Sequence, residues 1–192
     1  MPDGPVRENT ISFHLFTWIM DYADKIKKTP CYVVDKGLLR ENLEILAGVR
    51  EKAGCKIILA LKGFAMFSTF PVVREYLSGT AASSLNEARL GYEEFGGEVH
   101  VCAPAYRPDE LDDIIKYSSH IIFNSFSQWE RCKAEIASSG KEVRCGLRVN
   151  PEHSEVVVPI YDPCSPGSRL GIRAKDFEDR DISGINGLHS TR

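Results

Sequence analysis

The chain has 192 residues, 43% hydrophobic and 27% charged, with 24 Lys and Arg against 27 Asp and Glu and a net charge of −3. That much apolar material excludes a disordered, collagenous or tail-like polypeptide. The lack of a basic excess argues against a nucleic-acid binder, which must displace counterions from phosphate. The length suits one domain of ordinary size.

Residues 1–28 contain an apolar stretch, Ile11–Met20, interrupted by His14 and too short to span a bilayer. It lacks a cationic start and a small-residue cleavage site, so it does not read as a signal peptide. Continued through Asp21 to Lys28, it predicts a peripheral amphipathic helix, an N-terminal extension with no membrane partner. Six cysteines (Cys31, Cys55, Cys102, Cys132, Cys145, Cys164) show neither CxxC nor zinc-finger spacing, so no metal site is expected. Cys55, Cys102 and Cys145 fall in apolar runs that read as buried strands, where a thiol acts as a small hydrophobe. A reducing cytoplasm follows.

From Pro30 onward strand and helix alternate. Cys31–Asp35 is β-branched and aromatic and predicts a strand. Leu38, Leu39, Leu43, Leu46 and Val49 then predict a helix over about Lys36–Ala53. Lys56–Leu61 is a continuous apolar run of the kind buried on both faces. Further strands are expected at Thr80–Ser84, Val99–Ala103, His120–Asn124, Val143–Val149 and Ile185–His189, with helical stretches between them. This alternation implies a parallel α/β sheet with right-handed crossovers, either doubly wound or part of a (β/α)8 barrel. No glycine-rich phosphate loop stands at any strand–helix turn.

Functional groups of such folds collect at the carboxyl ends of strands. Lys62 follows Leu61 directly. Desolvation at the sheet mouth favours its neutral amine, the form Schiff-base chemistry needs, although a strand-end lysine also reaches easily to solvent. Ser84 and Glu87 have the spacing of a helix capping box. Arg148 ends an apolar strand and requires an anionic or polar partner. The loop Tyr161–Gly171 is rich in turn formers and longer than an ordinary βα connection. His189 has no second ligand at metal spacing.

The order of these elements carries more than any one of them. Ala60-Leu-Lys-Gly-Phe64, Ser83-Ser-Leu-Asn-Glu87, Asn124-Ser125 with Gln128, Gly146-Leu-Arg-Val-Asn-Pro-Glu152, Ser168-Arg-Leu-Gly171 and Gly187-Leu-His189 resemble the fold-type III pyridoxal-phosphate decarboxylases. Within that group the resemblance is to the branch acting on carboxylated polyamines. Thr29–Asp35, Ser154-Glu-Val156 and Tyr161–Cys164 add to it, and it extends over about residues 29–189.

The resemblance implies a TIM-type (β/α)8 barrel of the alanine racemase-like group over residues 29–192, here with about six strands. It implies pyridoxal 5'-phosphate as cofactor, held covalently by the catalytic Lys62, with Arg148, Ser84, Glu87 and His189 around it. Arg169 becomes a candidate for contact with substrate. The implied reaction releases CO₂ from a carboxylated polyamine to give norspermidine or spermidine, in polyamine biosynthesis, by a cytoplasmic homodimer. The family's Gly-Leu-His-x-His pattern departs here, with Thr191 in place of the second His. The last two barrel strands, the phosphate-binding turn, the carboxylate facing the pyridine nitrogen and the C-terminal β-domain have no counterpart in these residues. The expectation is a 192-residue chain that is weakly stable and inactive by itself. An amino-acid decarboxylase of the diaminopimelate type and a non-catalytic cofactor-binding module are the other readings.

Overall fold

The computed structural model describes residues 22, 23 and 25–190, in two units, Met1–Asp35 and Lys36–Arg192. The helix expected around Ile11–Lys28 lies largely outside the described residues, as does Thr191. In the first unit the Tyr22 hydroxyl donates to the Asp35 carboxylate at 2.7 Å, and the Thr29–Pro30 peptide is cis. Cys31–Asp35, expected as a strand, forms none. Its β-branched residues favour an extended backbone, but a strand also needs a ladder of hydrogen bonds to a neighbour, which composition does not provide.

The second unit opens with helix α1 (Lys36–Ala53), the bounds that its leucine spacing predicts. There follow β1 (Leu59–Ala60), α2 (Phe70–Val73), β2 (Gly79–Ala82) and α3 (Leu85–Leu90), which runs on into a π-helical turn. Next come β3 (Glu98–Cys102), α4 (Leu111–Tyr117), β4 (His120–Phe123), α5 (Phe126–Ser138), β5 (Arg144–Val149) and β6 (Ile185–Ser190).

All six strands are parallel, in the order β1-β2-β3-β4-β5-β6. A doubly wound sheet reverses its order at a switch point, and this one does not. Repeated crossovers of one hand put every helix on the same side, which is the progression of a (β/α) barrel.

The packing agrees. Val99, Val101, Ile121, Phe123 and Leu147 are fully buried and form one cluster with Leu111, Ile114 and Ile115 of α4 and Trp129, Cys132 and Ile136 of α5. The Phe123 and Trp129 rings stand 5.3 Å apart. A second cluster joins Leu43 of α1 to Leu61, Phe70, Val73, Leu77 and Phe95. Because side chains alternate along a strand, the remaining residues face the opposite, concave side. These include His100, Cys102, His120, Ile122 and Arg148, each partly buried.

Two expectations fail near β1. The Lys56–Leu61 run is not buried on both faces: its ladder is two residues long, Leu59 is half-buried and Ala60 is exposed. Among the described residues β1 pairs only with β2, so it is an edge. Cys55 is exposed rather than a core thiol. It follows Gly54, whose φ of +61° turns the chain out of α1 before the strand begins.

Candidate active site

The concave face encloses about 370 Å³ lined by His100, Cys102, His120, Ile122, Gly146 and His189, among others. Gly146 keeps it open, since a Cβ there would stand 2.7 Å from Ile122 Cδ1 and 3.1 Å from the Gly187 carbonyl oxygen.

At the rim after β1, the amides of Gly63 and Phe64 both donate to the Ala60 carbonyl, at 3.0 and 3.2 Å. Lys62 sits on this turn and is exposed. The enclosure anticipated from the apolar run before it is therefore not provided by the described residues.

Arg148 and His189 are set side by side by an irregularity between β5 and β6. Cys145 pairs with Ile185, but the next residue, Gly146, pairs with Gly187, so Asn186 is an extra residue in β6. Its side-chain oxygen accepts from the Cys145 amide at 3.1 Å and replaces the missing ladder bond. A bulge of this kind changes which face a side chain takes. Without it Leu188 would oppose Arg148; with it His189 does.

Charge and burial tie the group together. Burial pushes the His189 imidazole below its ordinary value, and the Arg148 and Lys62 cations push it further the same way. The ring is accordingly neutral near pH 7. Burial raises the Cys102 thiol, against the opposing pull of Arg148 and Lys62. Its Sγ lies 3.9 Å from His189 Nδ1, in reach of a weak S–H donation to the ring. Lys62, Arg148, His189 and Cys102 thus converge. Cys102 and Asn186 were not singled out from sequence. Cys102 was read only as core, and the role of Asn186 depends on pairing between strands 41 residues apart.

The other candidates are placed differently. Ser84 caps α3, its hydroxyl accepting from the Glu87 amide at 3.3 Å, and the Glu87 carboxylate accepts from the Ser83 amide at 2.7 Å. Both side chains are committed to the turn after β2, and the capping reading accounts for their spacing. Asn124-Ser125 with Gln128 is a second such cap: Ser125 Oγ accepts from the Gln128 amide and Gln128 Oε1 from the Asn124 amide. The Asn124 side chain also clamps the long loop, donating to the Arg169 carbonyl and accepting from the Gly171 amide, both at 2.9 Å. Gly171, at φ +82°, lies so close to β5 that a Cβ would stand 2.9 Å from the Val149 carbonyl carbon. Arg169 itself is exposed beside a broad depression shared with Ser125, Arg131, Asp176 and Arg180, apart from the Lys62 group.

A flat, anionic, carbonyl-bearing cofactor fits these residues. Lys62 offers an accessible primary amine, Arg148 a permanent cation, and His189 an uncharged ring. The glycine at 146 leaves space that a side chain would fill.

No family model matches the chain. It is 49% identical over 162 residues to a carboxyaminopropylagmatine decarboxylase of Synechocystis, covering 84% of this chain and 41% of the relative. A carboxynorspermidine/carboxyspermidine decarboxylase of Campylobacter jejuni is 43% identical over 168 residues, covering 88% of this chain and 43% of the relative. The crystal structure of carboxynorspermidine decarboxylase complexed with norspermidine, from Campylobacter jejuni, superposes with a TM-score of 0.77 at 41% identity, covering 86% of this chain and 41% of that one. The chain therefore spans about two fifths of the length of the relatives it matches. No helix among the described residues is long and apolar enough to cross a membrane.

Proposed function

Since the chain is homologous to part of the carboxynorspermidine/carboxyspermidine decarboxylases, we propose that its concave face is the cofactor face of a pyridoxal-phosphate enzyme that decarboxylates a carboxylated polyamine. The observation that carries this reading is the convergence of Lys62, Arg148 and His189 at the carboxyl ends of three strands.

Each residue has a distinct task in that reading. Lys62 tethers the cofactor through its amine, and its exposed position on the β1 turn leaves it reachable. Arg148 supplies a fixed positive charge that orients an anionic group over the sheet. His189, neutral at working pH, offers a ring face without adding charge. Cys102 restrains that ring through Nδ1. The cofactor, when bound, supplies an electron sink for the bond to the departing carboxylate. Ser84 and Glu87 hold the turn beside the rim, and Arg169 is the reserve candidate for substrate contact.

Two substrates of one class are in play. The names of the relatives point to carboxynorspermidine or carboxyspermidine on one side and to carboxyaminopropylagmatine on the other. The agmatine-based reading is favoured by the 49% identity of that relative, against 43%. The two differ in whether the far end of the substrate is an amine or a guanidine. Six free thiols support a reducing cytoplasm, and the working form is read as a homodimer. CO₂ release by the full-length protein from a panel of these substrates plus diaminopimelate, with Lys62→Ala as control, tests the reading. Turnover of diaminopimelate alone, or Lys62-independent turnover, overturns it.

A further inference from the structure

The same concave face carries a second cluster at its other end. Glu98 opens β3, His100 lies two residues on, and His120 opens β4. His100 and His120 are paired neighbours in the sheet, and their rings stack at 3.9 Å with 17° between planes. We propose that Glu98, His100 and His120 form a binding site for a divalent transition metal of the zinc class, clipping β3 to β4.

One donor atom from each of the three residues lies within 4.8 Å of the others. Glu98 Oε2 and His100 Nε2 are 3.2 Å apart. Two ligands bound at about 2.0–2.2 Å to one ion stand roughly 3.0–3.4 Å apart, so this pair is already spaced for coordination. His120 has to tilt out of the stack to complete the set, by a displacement on the order of 1 Å. Its Nδ1 is buried and meets no hydrogen-bond partner. A buried imidazole nitrogen left without a partner is costly, and ligation is one way to satisfy it.

The surrounding charges fit a bound cation only in part. Glu98 Oε1 accepts from Lys56, which holds the carboxylate with Oε2 turned to His100, as an outer partner orients a metal ligand. Lys56 and Arg144 are also the cations that oppose a metal here. Two imidazoles and one carboxylate select zinc, cobalt, nickel or copper over magnesium and calcium.

The site shares the concave space with the cofactor group but lies at its other end. His100 precedes Cys102 by two residues, about 6.5 Å along the strand and toward the amino-terminal end.

The test is Zn²⁺ titration of the full, chelator-treated chain by calorimetry, with thermal melts in parallel. One Zn²⁺ per chain is expected, with a higher melting temperature at saturation. His100→Asn and His120→Asn each weaken binding at least about tenfold. Co²⁺ bound to the unsubstituted chain gives visible d–d bands without thiolate charge transfer, a readout that does not depend on the variants folding. Absence of stoichiometric Zn²⁺ binding overturns the proposal, as does binding unchanged in both histidine variants. So does a thiolate band, which would assign the ion to a cysteine. Cofactor absorbance in the same samples reports separately on Lys62, so failure here leaves the decarboxylase reading to its own test.

Discussion

The two faces of the sheet are made from alternate residues of the same strands, yet they obey different rules. Val99, Val101, Ile121, Phe123 and Leu147 are sealed against helices. Between them, His100, Cys102, His120 and Arg148 look into a concave space and remain partly accessible. One face supplies the hydrophobic burial that holds the unit together. The other is released from that duty and collects groups that ionise, ligate or donate. In β3 and β4 the period-two alternation is therefore a division between stability and chemistry.

Substitutions can break that division, and the largest effect is expected at the rim. Lys62→Ala in the full-length protein should lower decarboxylation below about one thousandth of the unsubstituted rate, some 4 kcal/mol of barrier. It should also abolish the visible absorbance of bound pyridoxal while leaving the denaturation midpoint nearly unchanged. Phe123→Ala, on the sealed face, should do the reverse and cost about 3–5 kcal/mol of stability, read from urea unfolding. Gly171→Ala forces a side chain into a positive-φ position against β5. We expect a loss of about 1–3 kcal/mol and a displaced Arg169 loop, visible as faster amide exchange over residues 165–173. Ser125→Ala removes the α5 cap and should cost about 1 kcal/mol.

The smallest effect concerns pH. His189 is held below its unfolded value of about 6.5, so its contribution to stability is complete above that pH. The contribution is lost as pH falls below 6.5 and through the lowered folded value, because the unfolded state takes up the proton first. His120 acts in the same direction. A urea midpoint that drops between about pH 7.5 and 5.5, and drops less in His189→Gln, is the expected result. An identical drop in the variant would assign the whole dependence elsewhere.

Much of the fold was legible in the sequence because it rests on local pattern. The leucine spacing of α1 predicts its bounds, and β2 to β6 each begin within one residue of the start expected from apolar runs. What failed depended on partners. Cys31–Asp35 has strand composition but forms no ladder, and the run before Lys62 is, among the described residues, an edge strand that composition alone marks as central. The site divides in the same way. Lys62 and Arg148 each stood out at a strand end, but only the order of motifs along the chain joined them with His189 into one site. That His189 faces Arg148 depends on the extra residue Asn186, which no alternation rule anticipates. Glu98, His100 and His120 were invisible as a cluster, because the two histidines are twenty positions apart and meet only through parallel register.

The monotonic strand order has a consequence for how the molecule is made. Leu59 meets Thr80, Thr80 meets Val99, His100 meets His120, and His120 meets Arg144. Each of these pairings closes over about two dozen residues or fewer, so the loop-closure entropy of each step is modest. A chain leaving the ribosome can add each new strand to an edge that already exists, without waiting for a distant segment. β6 is the exception, reaching β5 across forty residues. Its docking, which brings His189 to Arg148, is therefore the slow closure among the described strands, and the concave face is completed only after the scaffold beneath it.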